Sequence, residues 1–193
     1  MSDLVRISRN LNLVAPVTRP DGTVVTVHSM PISRETIEQY NFVLARTFAA
    51  IFELGVGDSA GPMVAASIMK KIATQMGQWE AVQSGLLPEI FRLTQLIVAQ
   101  DGAWKSIPWE VARQRNLLDD DDAAEVTGAI LFFTLVYAMS RRNQVADRLA
   151  AAGQNWGFKT VSLTPMEYAN SLPTLTPPAT STANQTAAAS VPY

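Results

Sequence analysis

Leu11-Asn12-Leu13-Val14-Ala15-Pro16-Val17, then Thr18-Arg19-Pro20-Asp21-Gly22-Thr23, then Val24-Val25-Thr26-Val27-His28-Ser29-Met30: the fold reading turns on this stretch. The two outer runs are rich in β-branched residues and alternate in part, as strands do. Between them, Pro20 presets φ for a turn, and Asp21-Gly22 tolerates positive φ. The stretch therefore predicts a β-hairpin. Pro16 has no N–H to give to a central ladder, so its strand is expected at a sheet edge, where it could also pair with a partner chain.

After the hairpin the pattern becomes helical. Ser33 is placed to cap a helix whose apolar stripe runs Ile37, Tyr40, Val43, Leu44, Phe48, Ile51 and Phe52. Gly55-Val56-Gly57 ends it. Asp58 or Ser59 is expected to cap a second helix carrying Met63, Val64, Ile68, Ile72 and Met76, closed by Gly77. A third helix fits Leu87 to about Ala99, with Pro88 near its first turn and a turn at Asp101-Gly102. Pro108 starts a short helix, Trp109–Arg115.

The longest apolar helix follows Asp119-Asp120-Asp121-Asp122 and runs to about Arg142, with acids at its start and Arg141-Arg142 at its end, matching the helix dipole at both poles. Val145–Ala152 extends it or forms another helix. Thr164-Pro165-Met166-Glu167 has the form of a capping box, predicting a last helix over Pro165–Ser171. The expected fold is mainly α: an N-terminal β-hairpin, a bundle of about five to six helices, and an extended C-terminal tail. The folded body is expected over residues 1–172. Residues 173–193 form an uncharged tail rich in Thr, Ala and Pro.

Bulk composition narrows the function. The chain has 193 residues, 48 % hydrophobic and 17 % charged, enough to bury a core. The net charge of −2 offers no basic excess for phosphates, so no nucleic-acid partner is expected. There is no cysteine, which removes disulfides, thiolate nucleophiles and Cys-ligated zinc, and fits a reducing compartment. The N-terminus opens without a long apolar run, so no signal peptide is expected. The longest apolar stretch, Ala129–Met139, falls short of the roughly 20 residues that span a bilayer. It reads as a buried helix, and no membrane association is expected.

No motif for chemistry survives its context. His28, the one histidine, stands on a strand beside Ser29 with nothing to suggest an orienting carboxylate, so it reads as an ordinary strand residue. Asp119–Asp122 lacks the spaced acids, glycine and distal glutamate of a calcium loop and reads as a helix start. Gly55-Val56-Gly57-Asp58-Ser59-Ala60-Gly61 is followed by Pro62-Met63, not by the Walker lysine, and links helix to helix. Lys70-Lys71 and Arg141-Arg142 read as solvated helix faces and ends. No catalytic residue, cofactor or metal is expected. Trp104 and Trp109 read either as partner anchors or, preferably, as packing of a loop onto the core. With Leu172 and Leu175, at the start of the tail, they are the residues singled out for partner binding.

Several phrases recur in one order: Val27-His28-Ser29-Met30-Pro31-Ile32-Ser33-Arg34-Glu35; the Gly-rich link Gly55–Pro62; Gly85-Leu86-Leu87-Pro88-Glu89-Ile90; Ile107-Pro108-Trp109-Glu110; and Leu117-Leu118-Asp119-Asp120-Asp121-Asp122 before Phe132-Phe133-Thr134. This layout, over roughly residues 10–172 and followed by a polar tail, resembles tail assembly chaperones of long-tailed bacteriophages. The resemblance implies a mostly helical protein without catalytic residues. It would coat the apolar helices of the tape-measure protein and bring tail-tube protein to it, in the host cytoplasm. Many members of that family are made in a short form and a frameshifted longer form. Seven methionines supply adaptable apolar surface suited to such work, though most are expected in the core. A structural virion protein of the tail or head–tail junction, its arm lying on neighbouring subunits, is the other expectation. Self-association of the chain stays open.

Overall fold

The computed structural model describes residues 11–19, 22–141 and 144–175, the side chain of Asp58 apart. The expected hairpin is there: β1 (Asn12–Thr18) pairs antiparallel with β2 (Val24–Ser29), from Leu13 opposite Ser29 to Thr18 opposite Val24. Pro20 and Asp21, which the turn reading rested on, lie outside the described residues.

The hairpin does not stand alone, and this corrects the expectation of a mainly α protein with one hairpin. Five antiparallel strands form a single sheet in the order β4-β3-β2-β1-β5, and the fold is mixed α/β. β3 (Thr94–Gln100) pairs with β2, β4 (Ala103–Pro108) pairs with β3, and β5 (Lys159–Val161) pairs with β1. β3 occupies residues expected to be the second half of a helix from Leu87 to Ala99. The helix there stops at Arg92, and Thr94-Gln95-Leu96-Ile97-Val98 continues as strand. A short apolar run of this kind suits a buried helix or a buried strand equally, and the pairing partner decides. The turn itself favoured the strand. Asp101 and Gly102 both take positive φ, 54° and 73°, as a two-residue hairpin turn requires.

β1 is not simply an edge. Its first half, Asn12–Val14, is covered by β5, and the ladder stops before Pro16. Proline has no N–H to extend that ladder, so the expected edge character survives only from Pro16 onward.

The helices are α1 (Arg34–Gln39), α2 (Asn41–Glu53), α3 (Gly57–Gln75), α4 (Trp79–Ala81), α5 (Leu87–Arg92), α6 (Trp109–Gln114), α7 (Asp120–Met139), α8 (Val145–Trp156) and α9 (Pro165–Ser171). A π-helical turn, Val82–Leu86, joins α4 to α5. Local signals set several ends. Ser33 caps α1 by accepting from the Thr36 N–H at 3.1 Å, and Asp119 caps α7 by accepting from the Asp122 N–H at 2.8 Å. The capping box of α9 is complete, with the Glu167 carboxylate accepting the Thr164 N–H at 2.8 Å. By contrast, α3 begins at Gly57 with no side-chain cap, and Pro62 lies inside it.

The core forms on one face of the sheet. Leu13, Ala15, Val25, Val27, Leu96 and Ile107 point into it, and α7 runs through its middle. Every residue of α7 from Gly128 to Val136 is buried, so this helix has no polar side there. By length and composition Asp120–Met139 could also cross a membrane. Here its apolar surface is taken up by α3, α2, β1 and α8. The tightest approach is to α3, where the Gly128 backbone lies against the Pro62 carbonyl.

Candidate protein-binding surfaces

α2 turns Val43, Leu44, Thr47 and Ile51 into the core. That leaves apolar residues on its other sides. Phe42 is 73 % exposed, and the Phe48 and Phe52 rings meet, tilted to each other, with centroids 4.4 Å apart along the flank. Phe52 continues to Phe132 of α7 at 6.5 Å. Between α2, α7 and α8 these rings line a groove of about 530 Å³, completed by Val136, Ala151, Asp147 and Arg148. The Arg148 guanidinium sits 5.9 Å over the Phe48 ring. The α2–α3 turn also carries Leu54, and α3 carries Met63, both about two-thirds or more exposed. A large aromatic groove with exposed aliphatic neighbours is what an apolar partner helix needs. A smaller cleft, about 310 Å³, lies between α3, α4, α5 and α7, where Lys70 sits 5.7 Å over the Trp79 ring.

These residues were missed by the sequence reading, which placed Phe48 and Phe52 in one core stripe. The stripe was too wide for a single buried face. Phe42 stands opposite Val43 and Leu44 on the helix, and that spacing was the available signal.

The second face of the sheet is also covered. From β5 at the sheet edge the chain crosses onto it, and α9 and the residues to Leu175 lie along it, so that 159–175 form a strap. Val14 and Ile97 pack there with Tyr168 and Ala169, flanked by Trp104, Val161 and Leu172. Of the residues singled out for partner binding, the structure brings Trp104 and Leu172 together here. The Trp104 indole N–H donates to the Pro173 carbonyl at 2.8 Å. Leu175 follows, half-buried, as the last described residue before the tail. The tail boundary expected at 172/173 thus falls within this strap. Trp109 lies elsewhere, 5 % exposed and stacked on Phe91 at 5.3 Å in the main core, so its own chain covers the indole.

His28 is fully buried beneath the strap. Its Nε2 lies 2.9 Å from the Leu163 carbonyl, which also accepts from Asn12 Nδ2 at 2.7 Å. A carbonyl only accepts, so Nε2 carries the proton and Nδ1 is the bare nitrogen. Nδ1 has no partner outside its own residue. Burial holds the imidazole below its ordinary value of 6.5, opposed by the bond to Leu163.

Asp119–Asp122 start α7 and are tied into the fold. Arg113 donates to the Leu118 and Asp119 carbonyls and to Asp120 Oδ1 at 2.7 Å, and Arg19 donates to the Leu117 carbonyl. Burial, then the neighbouring carboxylates, push Asp122 up, with Arg19 opposing. Among the described residues, no three His, Cys, Asp or Glu side chains are placed to hold a metal. Gly55–Gly61 joins α2 to α3. Lys71 and Arg141 are exposed, and Arg142 lies outside the described residues. Compared with known protein families, curated proteins and solved structures, the chain matches none.

Proposed function

We propose that this chain is a phage tail morphogenesis protein: a tail assembly chaperone that holds apolar helices of the tape-measure protein and delivers tail-tube protein to it in the host cytoplasm, without catalysis. The observation that carries the reading is the aromatic groove of Phe48, Phe52 and Phe132, together with the exposed Leu54 and Met63 of the following turn and helix. A helix shielded from water in such a groove buries its aromatic and aliphatic anchors against the phenylalanine rings. The resemblance in layout supports the same role. The lack of catalysis is supported by the one histidine being sealed under the strap, bonded to a carbonyl and not to a carboxylate.

The test is co-expression with tape-measure segments and capture on the tagged chain. Phe52→Glu with Met63→Glu should reduce capture about tenfold or more, as loss of interface anchors does. Because both residues are exposed, the melting temperature should stay close to that of the parent. Unchanged capture by the double variant would remove the groove from the proposal. Recovery of the chain in stoichiometric amounts from purified particles would remove the chaperone role.

A second reading has its own observation. Trp104 holds Pro173 next to β4, an edge strand whose outer side pairs with no other strand among the described residues, and the uncharged residues 176–193 follow Leu175 in sequence. A structural virion protein would lay such an arm on a neighbouring subunit. It predicts that deleting residues 176–193 stops particle assembly while the thermal transition of the isolated chain is unchanged. Normal particles from that deletion would rule it out.

A further inference from the structure

The strap is held by β5 on β1 and α8, and by α9 on β3 and β4 over a small apolar cluster separate from the main core. Phe158, just before it, is buried in the core and anchors the chain. From Lys159 onward the chain makes three residue pairs with β1, packs α9 on a small apolar cluster of its own, and ends on the Trp104–Pro173 bond. Its central pin is the Leu163 carbonyl, which receives both Asn12 and His28 at the bend leading into α9. Tyr168 of α9 sits 6.0 Å from the His28 ring, centroid to centroid.

We propose that residues 159–175 form a latch over the second sheet face and that His28 sets its dependence on pH, protonation of the buried ring releasing the strap while the main core stays folded. This goes beyond the binding role proposed above and does not depend on it. A proton added at Nδ1 puts a full charge in a buried site where the new N–H finds no acceptor beyond the backbone of His28 itself. The groups around the ring do not offset that charge. β1 presents Asn12 and Val14, and β3 presents Gln95 opposite His28. From β4, Ser106 is engaged with Gln95. From β5 comes another cation, Lys159, 5.8 Å over the Tyr168 ring, and from α9 comes Tyr168 itself. Glu167, the carboxylate on α9, is bound into the capping box at Thr164. The cheapest relief is to hydrate the ring. Lifting the strap does so and uncovers Val14, Ile97 and the Asn12–Val14 edge.

The folded ring binds its proton less readily than the unfolded or released one. Closure is therefore fully favoured above 6.5, the free-imidazole value, and weakens as pH falls below it, until the lowered pKa of the closed state is reached. Within that window each pH unit weakens closure about tenfold.

Amide hydrogen exchange on the full chain at pH 7.5, 6.5 and 5.5, corrected for intrinsic rates, reads this directly. The expected result is a loss of protection across α9 and Asn12–Val14 that grows from pH 7.5 to 5.5, up to about tenfold over that range, with α7 unchanged. Strap protection that is the same at all three values overturns the latch, as does a loss shared equally by α7. His28→Gln keeps a donor for Leu163 without a titrating group, and its strap should be insensitive to pH. The same sensitivity in that variant would assign the effect to another group and overturn the role of His28. The measurement that needs no variant is the His28 Cε1–H proton resonance, a single signal because the chain has one histidine. It should titrate below 6.5, together with the loss of strap protection. Titration at or above 6.5, or a midpoint unrelated to that loss, also overturns it.

Discussion

Gly128→Ala should destabilise the protein by about 3 kcal/mol or more, although the same change in most helices is favourable. At an open helical site alanine gains about 1 kcal/mol over glycine, because the glycine backbone has more freedom to lose. Gly128 is not such a site. A Cβ built there would stand 2.1 Å from the Pro62 oxygen and 3.2 Å from the Pro62 carbonyl carbon, both backbone atoms of α3. No rotamer change relieves that contact, so α3 and α7 must move apart. Theirs is the most extensive helix–helix contact among the described residues. Overpacking of this sort costs typically 1–3 kcal/mol, more where only backbone can yield. Chemical denaturation would show a lowered midpoint with unchanged slope, and a melting temperature lower by about 6–12 °C. A variant as stable as the parent would mean that the helices are not this close. Ala124→Gly, on the exposed side of the same helix, is the control and should cost only about 1 kcal/mol.

Phe133→Ala is expected to be at least as damaging, at about 3–5 kcal/mol. The Phe133 side chain is fully buried in the stretch of α7 that has no exposed side, 6.1 Å from the Tyr137 ring. Truncating it removes buried apolar area and leaves a void that close-packed helices cannot fill. Phe52→Ala makes the useful comparison. That ring is 37 % exposed and rests on Phe48, so its loss should cost about 1 kcal/mol and act on partner capture instead. Equal losses for the two variants, measured by urea unfolding, would contradict the division into a sealed core and an open aromatic groove.

How much of this was legible beforehand differs by element. Two caps were plain: Ser33, and Thr164 with Glu167, bond to an N–H three residues on, so the interaction is contained in four residues; Asp119, read only as part of an acidic helix start, bonds in the same way. The β1–β2 hairpin was legible for the same reason. β3 was not, although Asp101-Gly102 between apolar runs was a hairpin signal as strong as Asp21-Gly22. It lost to the helical reading of the residues before it, which α5 satisfies only as far as Arg92. The candidate surfaces were legible only in part. Met63 was picked out as adaptable, while Phe48 and Phe52 were placed in one helical stripe and Phe42 was not singled out. Trp104 and Leu172 were singled out separately, and nothing local says that they share one cluster.

Taken alone, the sequence determined where the capped helices α1 and α9 begin, that the second half of the chain holds a long buried apolar helix, that a hairpin opens the fold, and that thiol chemistry is excluded. These depend on neighbours along the chain or on composition. The tertiary structure alone decided that β2 accepts β3 as a partner, that β5 closes over Asn12–Val14, that both sheet faces are covered, and that His28 is sealed under Leu163. Those outcomes depend on pairs far apart in sequence, such as His28 with Leu163 and Trp104 with Pro173. Whether a strand, a cover or a buried ring results is set by which distant surface is free to complete its hydrogen bonds and exclude water, and no local pattern encodes that choice.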